Sequence, residues 1–182
     1  IFGGGQLGRM MAQAALPLNL QCTFFEAETN CPAAILGPVF SSKNEQGLQD
    51  FIASADVFSL EFENTPVADV DVLTQTKTLH PPRLALATAQ NRLAEKALFD
   101  QLAIPVAPYR AVDSLESLKQ AVAELGLPIV LKTVTGGYDG KGQFVLRSED
   151  QIDTAWAELG PAKSLIAESF VKFSREVSII AV

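Results

Sequence analysis

Two stretches of this sequence carry residues whose type and spacing could do chemistry. The first is KTVTGGYDGKGQ, Lys132 to Gln143, where Gly136, Gly137, Gly140 and Gly142 fall within seven residues and two lysines, Lys132 and Lys141, stand close by. Glycine N–H groups can wrap phosphate oxygens while ammonium groups neutralise their charge, so the stretch suits a triphosphate such as that of ATP. Four glycines also lose more conformational freedom on ordering than other residues would, which a purely structural loop would not require. The pattern is not a Walker A loop: Thr135 stands where the leading glycine belongs, and Gly142 replaces the Ser or Thr after Lys141. It is not a protein-kinase loop either, because Lys132 precedes the glycines and HRD and DFG are missing.

The second stretch lies at the start. Gly3, Gly5 and Gly8 satisfy G-x-G-x-x-G, with Glu26 or Glu28 about twenty residues on, the spacing of a dinucleotide fingerprint. The same loop could hold the phosphate of a sugar-phosphate substrate, or could serve tight packing alone. An oxidoreductase using NAD therefore remains open at this point. Glu61 and Glu63 fall on one face at the end of an expected strand, where they could bind a ligand or be solvated.

The elements that must position these residues follow from periodicity. Residues 7 to 18 place Leu7, Met10, Met11, Ala14, Ala15 and Leu18 at helical spacing, so a helix opens directly from the first glycines. Strands are expected over 21 to 28, 37 to 42 and 56 to 63, with helices over 44 to 55 and 68 to 75. Strand and helix alternate, which predicts an α/β parallel sheet with helices on both faces. Pro81 and Pro82 break regular structure, and a boundary between two domains is placed there, with a helix around 89 to 102 beyond it. The second half then reads as helix 114 to 125, strand 128 to 134, the glycine hairpin, strand 143 to 148, helix 148 to 159 and two more strands, the last over 174 to 182. In PIVLK, alternation puts Lys132 on the face opposite Ile129 and Leu131. Asp139-Gly140 reads as the turn of the hairpin, and mobility is expected at its tip without nucleotide. Ser148, with Gln151 three residues on, reads as an N-cap and capping box. His80 is assigned to a strand end and no catalytic role.

Composition bounds the function. With 182 residues, 48% hydrophobic and 19% charged, the chain has an ordinary globular balance and room for two small domains. A net charge of -7 argues against a sequence-independent nucleic-acid surface or an anionic-membrane surface. The two cysteines, Cys22 and Cys31, have no metal-ligand spacing, and no apolar run approaches the length of a membrane span, so a cytoplasmic setting is expected. Only Ile1 and Phe2 precede the first glycine, where a strand of about five residues is usual, so the chain is read as part of a longer protein.

GGGQLGRM at 3 to 10, EFENTP at 61 to 66, QNRLAEK at 90 to 96, KTVTGGYDGKGQ at 132 to 143 and ESFVKFSREVS at 168 to 178 together, in this order, resemble the N5-carboxyaminoimidazole ribonucleotide synthases of the ATP-grasp superfamily. The resemblance implies a Rossmann-like pre-ATP-grasp domain over residues 1 to 82. Residues 83 to 182 would be the first part of an ATP-grasp domain of α+β type, with its flap lobe at 109 to 165 and its C-terminal lobe missing. It implies carboxylation of 5-aminoimidazole ribonucleotide by bicarbonate, driven by ATP through carboxyphosphate, in a homodimer. Mg2+ would be required, with its ligands beyond residue 182. Carried over, Arg92 and Lys132 would contact ATP phosphates, and Gly137, Tyr138, Asp139, Gly140, Lys141, Gly142 and Gln143 would form the flap, with Tyr138 and Asp139 facing the reacting amine. Glu168, Ser169, Phe170 and Val171 would hold adenine, Glu176 the ribose of ATP, and Gln6, Leu7 and Glu61 the ribonucleotide substrate. Other purine-pathway ATP-grasp enzymes, with formate or an amino acid as donor, remain alternatives, as does a nucleotide-binding module without catalysis.

Overall fold

A computed structural model describes residues 1–136, 142–159 and 164–179. By contact density the chain divides into two compact units, Ile1–Gln90 and Asn91–Val182.

The first unit is an α/β layer built around Phe2. After the opening glycines comes helix α1 (Gln6–Ala15), then β1 (Phe24–Glu26), β2 (Val39–Ser41), α2 (Gly47–Ala53), β3 (Val57–Ser59), α3 (Val67–Leu73), β4 (Thr78–His80) and α4 (Arg83–Ala89). β1 pairs in parallel with β2 and β3 with β4, and Phe2 bridges in parallel to Phe25 on one side and Leu60 on the other. The strand order is thus β2, β1, Phe2, β3, β4, so chain order reverses beside Phe2. A crevice at the carboxyl ends of the strands is expected at such a reversal. Alternation along β1 sends Phe24 to a small-residue cluster with Ala12 and Ala33, and Phe25 to the opposite core. That core is aromatic: the Phe51 ring meets Phe2 and Phe58 edge-on at 5.1 and 5.0 Å and stacks on Phe25 at 5.3 Å. Edge-on and offset rings are the favoured arrangements of aromatic quadrupoles.

The unit boundary falls at Gln90, beyond the two prolines at which a break is expected from sequence. Residues 83–89 form a helix of their own, whose Leu86 is buried in the aromatic core. Gln90 closes it by donating its side-chain amide to the carbonyls of Glu63 and Thr65, both at 2.6 Å. The helix expected around 89 to 102 is thus the next one, Arg92–Gln101, and the helix over 83–89 before it was not expected. The expected helix starts afresh at Asn91, whose Oδ1 accepts from the Leu93 and Ala94 N–H groups. This is an ordinary asparagine N-cap.

The second unit comprises α5 (Arg92–Gln101), β5 (Tyr109–Val112), α6 (Leu115–Leu125), β6 (Ile129–Thr133), β7 (Gln143–Leu146), α7 (Ile152–Leu159) and β8 (Leu165–Ser169). The four strands form one antiparallel sheet in the order β5, β8, β6, β7. One face carries Val112, Ile129, Leu131, Leu146, Leu165 and Ala167, packed with Leu118, Ala121 and Val122 of α6 and Ile152 and Ala155 of α7. Two expectations fail here. Ser148 makes no side-chain cap, and the Gln151 side chain instead accepts from the Arg147 N–H at 2.8 Å; the capping box belongs to Ser114 and Ser117 at the start of α6. Residues 174–179 form no strand: Val177 and Ile179 are exposed, and a strand needs a neighbouring edge for its backbone groups, which these apolar side chains do not have here. Among the described residues no helix is long and apolar enough to cross a membrane.

Candidate functional site

In the first unit the glycine loop sits at the carboxyl end of the central strand position. Gly3 adopts φ +98°, a conformation that L side chains rarely adopt. Added Cβ atoms at Gly3 and Gly5 would strike the Glu61 carboxylate, and one at Gly8 would lie 2.8 Å from the Gly3 carbonyl oxygen. The glycines are therefore required by close packing of loop, helix and Glu61. Glu61 accepts from Gly5 N at 2.8 Å and from Leu7 N at 3.2 Å, so its carboxylate holds the N-cap N–H and one first-turn N–H of α1. The partial positive charge of a helix start favours an anion there, and the chain supplies its own. Glu26, which the dinucleotide pattern would give to a ribose, is turned onto Gly4 N at 3.1 Å and Ala27 N at 2.7 Å. A pyrophosphate entering this loop would have to displace one carboxylate and approach another, so the arrangement disfavours dinucleotide binding. Gln6 and Leu7 are exposed at the rim.

Next to Glu61 lies a cavity of about 350 Å³, lined by Leu60, Phe62, Glu63, Pro81, Ala85 and Leu86 among others. That volume is at the lower end of small-ligand sites. A smaller cavity of about 120 Å³ opens along Phe2, Gly3, Phe25, Glu26 and Asp69, and burial raises the Asp69 carboxyl above its ordinary pKa.

In the second unit the candidate site is the sheet face opposite the helices. Residues directly paired across antiparallel strands share a face. The register pairs Lys132 with Gln143 and Ile166, and Glu168 with Val130 and Tyr109, so these side chains share that face, opposite Leu131 and Ala167. Ile166 is fully buried, giving the face an apolar floor beside its charged groups. Glu168 is only 8% exposed. One of its oxygens, Oε2, accepts from Lys132 Nζ at 3.1 Å and lies 3.3 Å from Lys96 Nζ. No site role was expected of Lys96 from sequence, although it stands four residues after Arg92 in α5, one helical turn along the same face.

Arg92 anchors the root of the glycine loop: its guanidinium donates to the carbonyls of Thr133 at 2.8 Å and Gly136 at 2.6 Å, and its backbone N–H to Val134. Across the hairpin, Thr133 N donates to the Gly142 carbonyl at 2.9 Å; Gly136 and Gly142 both have positive φ, at 67° and 71°. Gly137, Tyr138, Asp139, Gly140 and Lys141, with the expected turn and its mobility, lie outside the described residues. Ser169 ends β8 and Phe170 follows it, held by N–H bonds to the Pro108 and Pro128 carbonyls, with the Arg147 guanidinium 5.6 Å from the Phe170 ring. Val171 and Glu176 are exposed in the irregular segment that follows. Among the described residues no group of three or more His, Cys, Asp or Glu could hold a metal ion.

Comparison with known proteins agrees with both units. Residues 1–90 match the ribonucleotide synthetase preATP-grasp domain, and residues 97–182 match the ATP-grasp domain. The chain is 38% identical to N5-carboxyaminoimidazole ribonucleotide synthase of Vibrio cholerae, over 99% of this chain and 48% of the relative. The crystal structure of N5-carboxyaminoimidazole ribonucleotide synthetase from Thermus thermophilus superposes with TM-score 0.87 and 37% identity, over 96% of this chain and 47% of that one. An Aspergillus clavatus N5-carboxyaminoimidazole synthase in complex with ADP and 5-aminoimidazole ribonucleotide gives TM-score 0.83 at 27% identity, over 95% of this chain and 46% of that one. The chain thus spans about half the length of the curated relatives it matches.

Proposed function

Because this chain belongs to the N5-carboxyaminoimidazole ribonucleotide synthase family of ATP-grasp proteins, we propose that it contributes the nucleotide-binding sheet and part of the ribonucleotide site to an ATP-dependent carboxylation of 5-aminoimidazole ribonucleotide. The observation that carries this reading is the buried Glu168 carboxylate held by the partly buried Lys132 and Lys96, on a sheet face beside a glycine-rich hairpin. In this reading ATP transfers its γ-phosphoryl group to a bicarbonate oxygen, giving ADP and carboxyphosphate. The exocyclic amine of the ribonucleotide then bonds to the carboxyl carbon, the carbon–oxygen bond to phosphate breaks, and the amine loses a proton.

Each candidate residue has a defined part. Lys132 offsets phosphate charge, and Arg92 holds the loop root so that the glycine N–H groups of 137 to 143 can close on the phosphates. The segment Glu168 to Val171 supplies backbone groups to adenine, and Glu176 receives the ATP ribose. Tyr138 and Asp139 approach the reacting amine. Closure of the flap shields carboxyphosphate from water, in which it is short-lived. On the other unit, Glu61 already holds the helix N–H groups, so this edge suits the hydroxyls of the ribonucleotide, which can donate to a carboxylate, better than its phosphate. Gln6 and Leu7 line that edge.

Magnesium would accompany the nucleotide, but the described residues do not form a site for it, and no step is assigned to them through the ion. A cytoplasmic homodimer completes the proposal. The test is ADP release by a protein of the relatives' full length that carries this chain. Release should require both 5-aminoimidazole ribonucleotide and bicarbonate. Release stimulated instead by formate with glycinamide ribonucleotide would overturn the substrate assignment.

A further inference from the structure

The Glu168 carboxylate has two cationic partners on the same oxygen, Lys132 from β6 at 3.1 Å and Lys96 from α5 at 3.3 Å. The three groups are poorly hydrated, with side-chain exposures of 10% for Glu168, 27% for Lys132 and 14% for Lys96. Lys132 and Glu168 alone would be neutral, and moving Lys132 toward a phosphate would strand the buried Glu168 carboxylate, which is unfavourable. Lys96 removes that obstacle, because Glu168 keeps a cation when Lys132 turns away. It also leaves the cluster one positive charge in excess. The Lys96 ammonium lies 6.0 Å from the Tyr109 ring, and the Tyr109 hydroxyl donates to Asp100, one turn further along α5, at 2.7 Å, so the helix that carries Lys96 is tied to the sheet.

We infer that Lys96 is a positioning residue for nucleotide binding: it serves as the standing counter-ion of Glu168 and so frees the Lys132 ammonium for a phosphate. This rests on the reading of Lys132 as a phosphate contact. Lys96 does not itself touch the nucleotide in this scheme, and its effect should depend on how much phosphate the ligand carries.

The test compares ADP with adenosine by calorimetric titration of the whole protein that carries this chain, in the variants Lys96→Met, Lys96→Arg, Lys132→Met and the double variant K96M/E168Q. Lys96→Met should lower the ratio of ADP to adenosine affinity about tenfold, equivalent to about 1.4 kcal/mol. Lys96→Arg should restore most of the ratio, because it keeps the charge. The double variant removes one cation together with the anion, restores the excess positive charge, and should recover the ratio relative to Lys96→Met. Equal weakening of ADP and adenosine in Lys96→Met would overturn the inference in favour of simple packing. A double variant with a ratio no better than that of the single would overturn it as well; if the single variant folds poorly, the double is read against the native protein, and a ratio about tenfold below the native one overturns the inference. An unchanged ratio in Lys96→Met, with a reduced one in Lys132→Met, would sink the role of Lys96 alone. No effect in Lys132→Met would instead sink the phosphate reading, and the inference with it.

Discussion

Replacing Glu61 tests whether one carboxylate organises the first glycine loop. In the native chain its two oxygens accept separately from Gly5 N at 2.8 Å and Leu7 N at 3.2 Å, across 56 and 54 residues of sequence. A hydrogen bond to a charged group contributes roughly 1.5 to 3 kcal/mol, and loss of a helix N-cap costs about 1 kcal/mol and at most about 2. The Leu7 bond lies at the surface, where water replaces much of it, so the lower end of each range applies. Glu61→Ala should therefore destabilise the first unit by about 2 kcal/mol. Glu61→Gln should cost about half as much, because its amide oxygen keeps one bond while its NH2 group faces the other N–H. Denaturant unfolding measures the total, and amide exchange by NMR localises it. Protection at Gly5 and Leu7 should fall about tenfold or more in Glu61→Ala. Gly4 is the internal control, because its N–H is bound to Glu26 and should stay protected. Unchanged protection at Gly5 and Leu7, or a stability loss below about 0.5 kcal/mol, would refute the reasoning.

Gly37→Ala would drive its Cβ into the Cys22 carbonyl oxygen, a backbone atom that cannot swing aside, and should lower stability by about 2 kcal/mol in denaturant unfolding. Gly136→Ala meets nothing within 4 Å and should lose only the cost of its positive φ, about 1 kcal/mol. The hydrogen bond to Asp100, ahead of partial burial, raises the Tyr109 hydroxyl above its ordinary pKa. The native state thus holds this proton to higher pH than the unfolded state, so the contribution is complete below about pH 10 and is lost as pH rises through the native value. In a Tyr138→Phe background, which leaves Tyr109 as the single tyrosine of this chain, Asp100→Ala should move the phenolate absorbance midpoint down; an unmoved midpoint would exclude the bond as the cause.

Much of the architecture was legible because it depends on short-range periodicity. The alternation in PIVLK foretold that Ile129 and Leu131 would be buried and that Lys132 would share the other face, as β6 bears out. Helical spacing after the first glycines foretold α1, and strand-helix alternation foretold a parallel layer in the first unit. Errors came where local signals competed. Pro81 and Pro82 do break regular structure between β4 and α4, but the helix directly after them was missed: Pro82 sits at its N-cap, where the missing N–H costs nothing. His80 does end a strand, as expected, although Thr78–His80 is too short to show alternation and is fixed by the parallel edge that β3 offers. Ser148 and Gln151 have capping-box spacing, but the turn geometry brings Gln151 to Arg147 instead.

The amino-acid sequence alone determined which residues could do chemistry: the two glycine loops, Lys132, and the acids at strand ends. Local composition sets backbone freedom, charge and side-chain face, and these need no knowledge of distant neighbours. Only the tertiary structure decided what those residues face. It turned Glu61 onto the helix start that resembled a cofactor site, gave Arg92 to the loop carbonyls, and joined Lys96 to Lys132 through Glu168. Each of these contacts spans 36 residues or more and depends on how distant strands, loops and helices are brought together; Arg92 and Lys96 both act from α5. Partners set by the pairing of distant segments leave no periodic trace in the sequence near either residue.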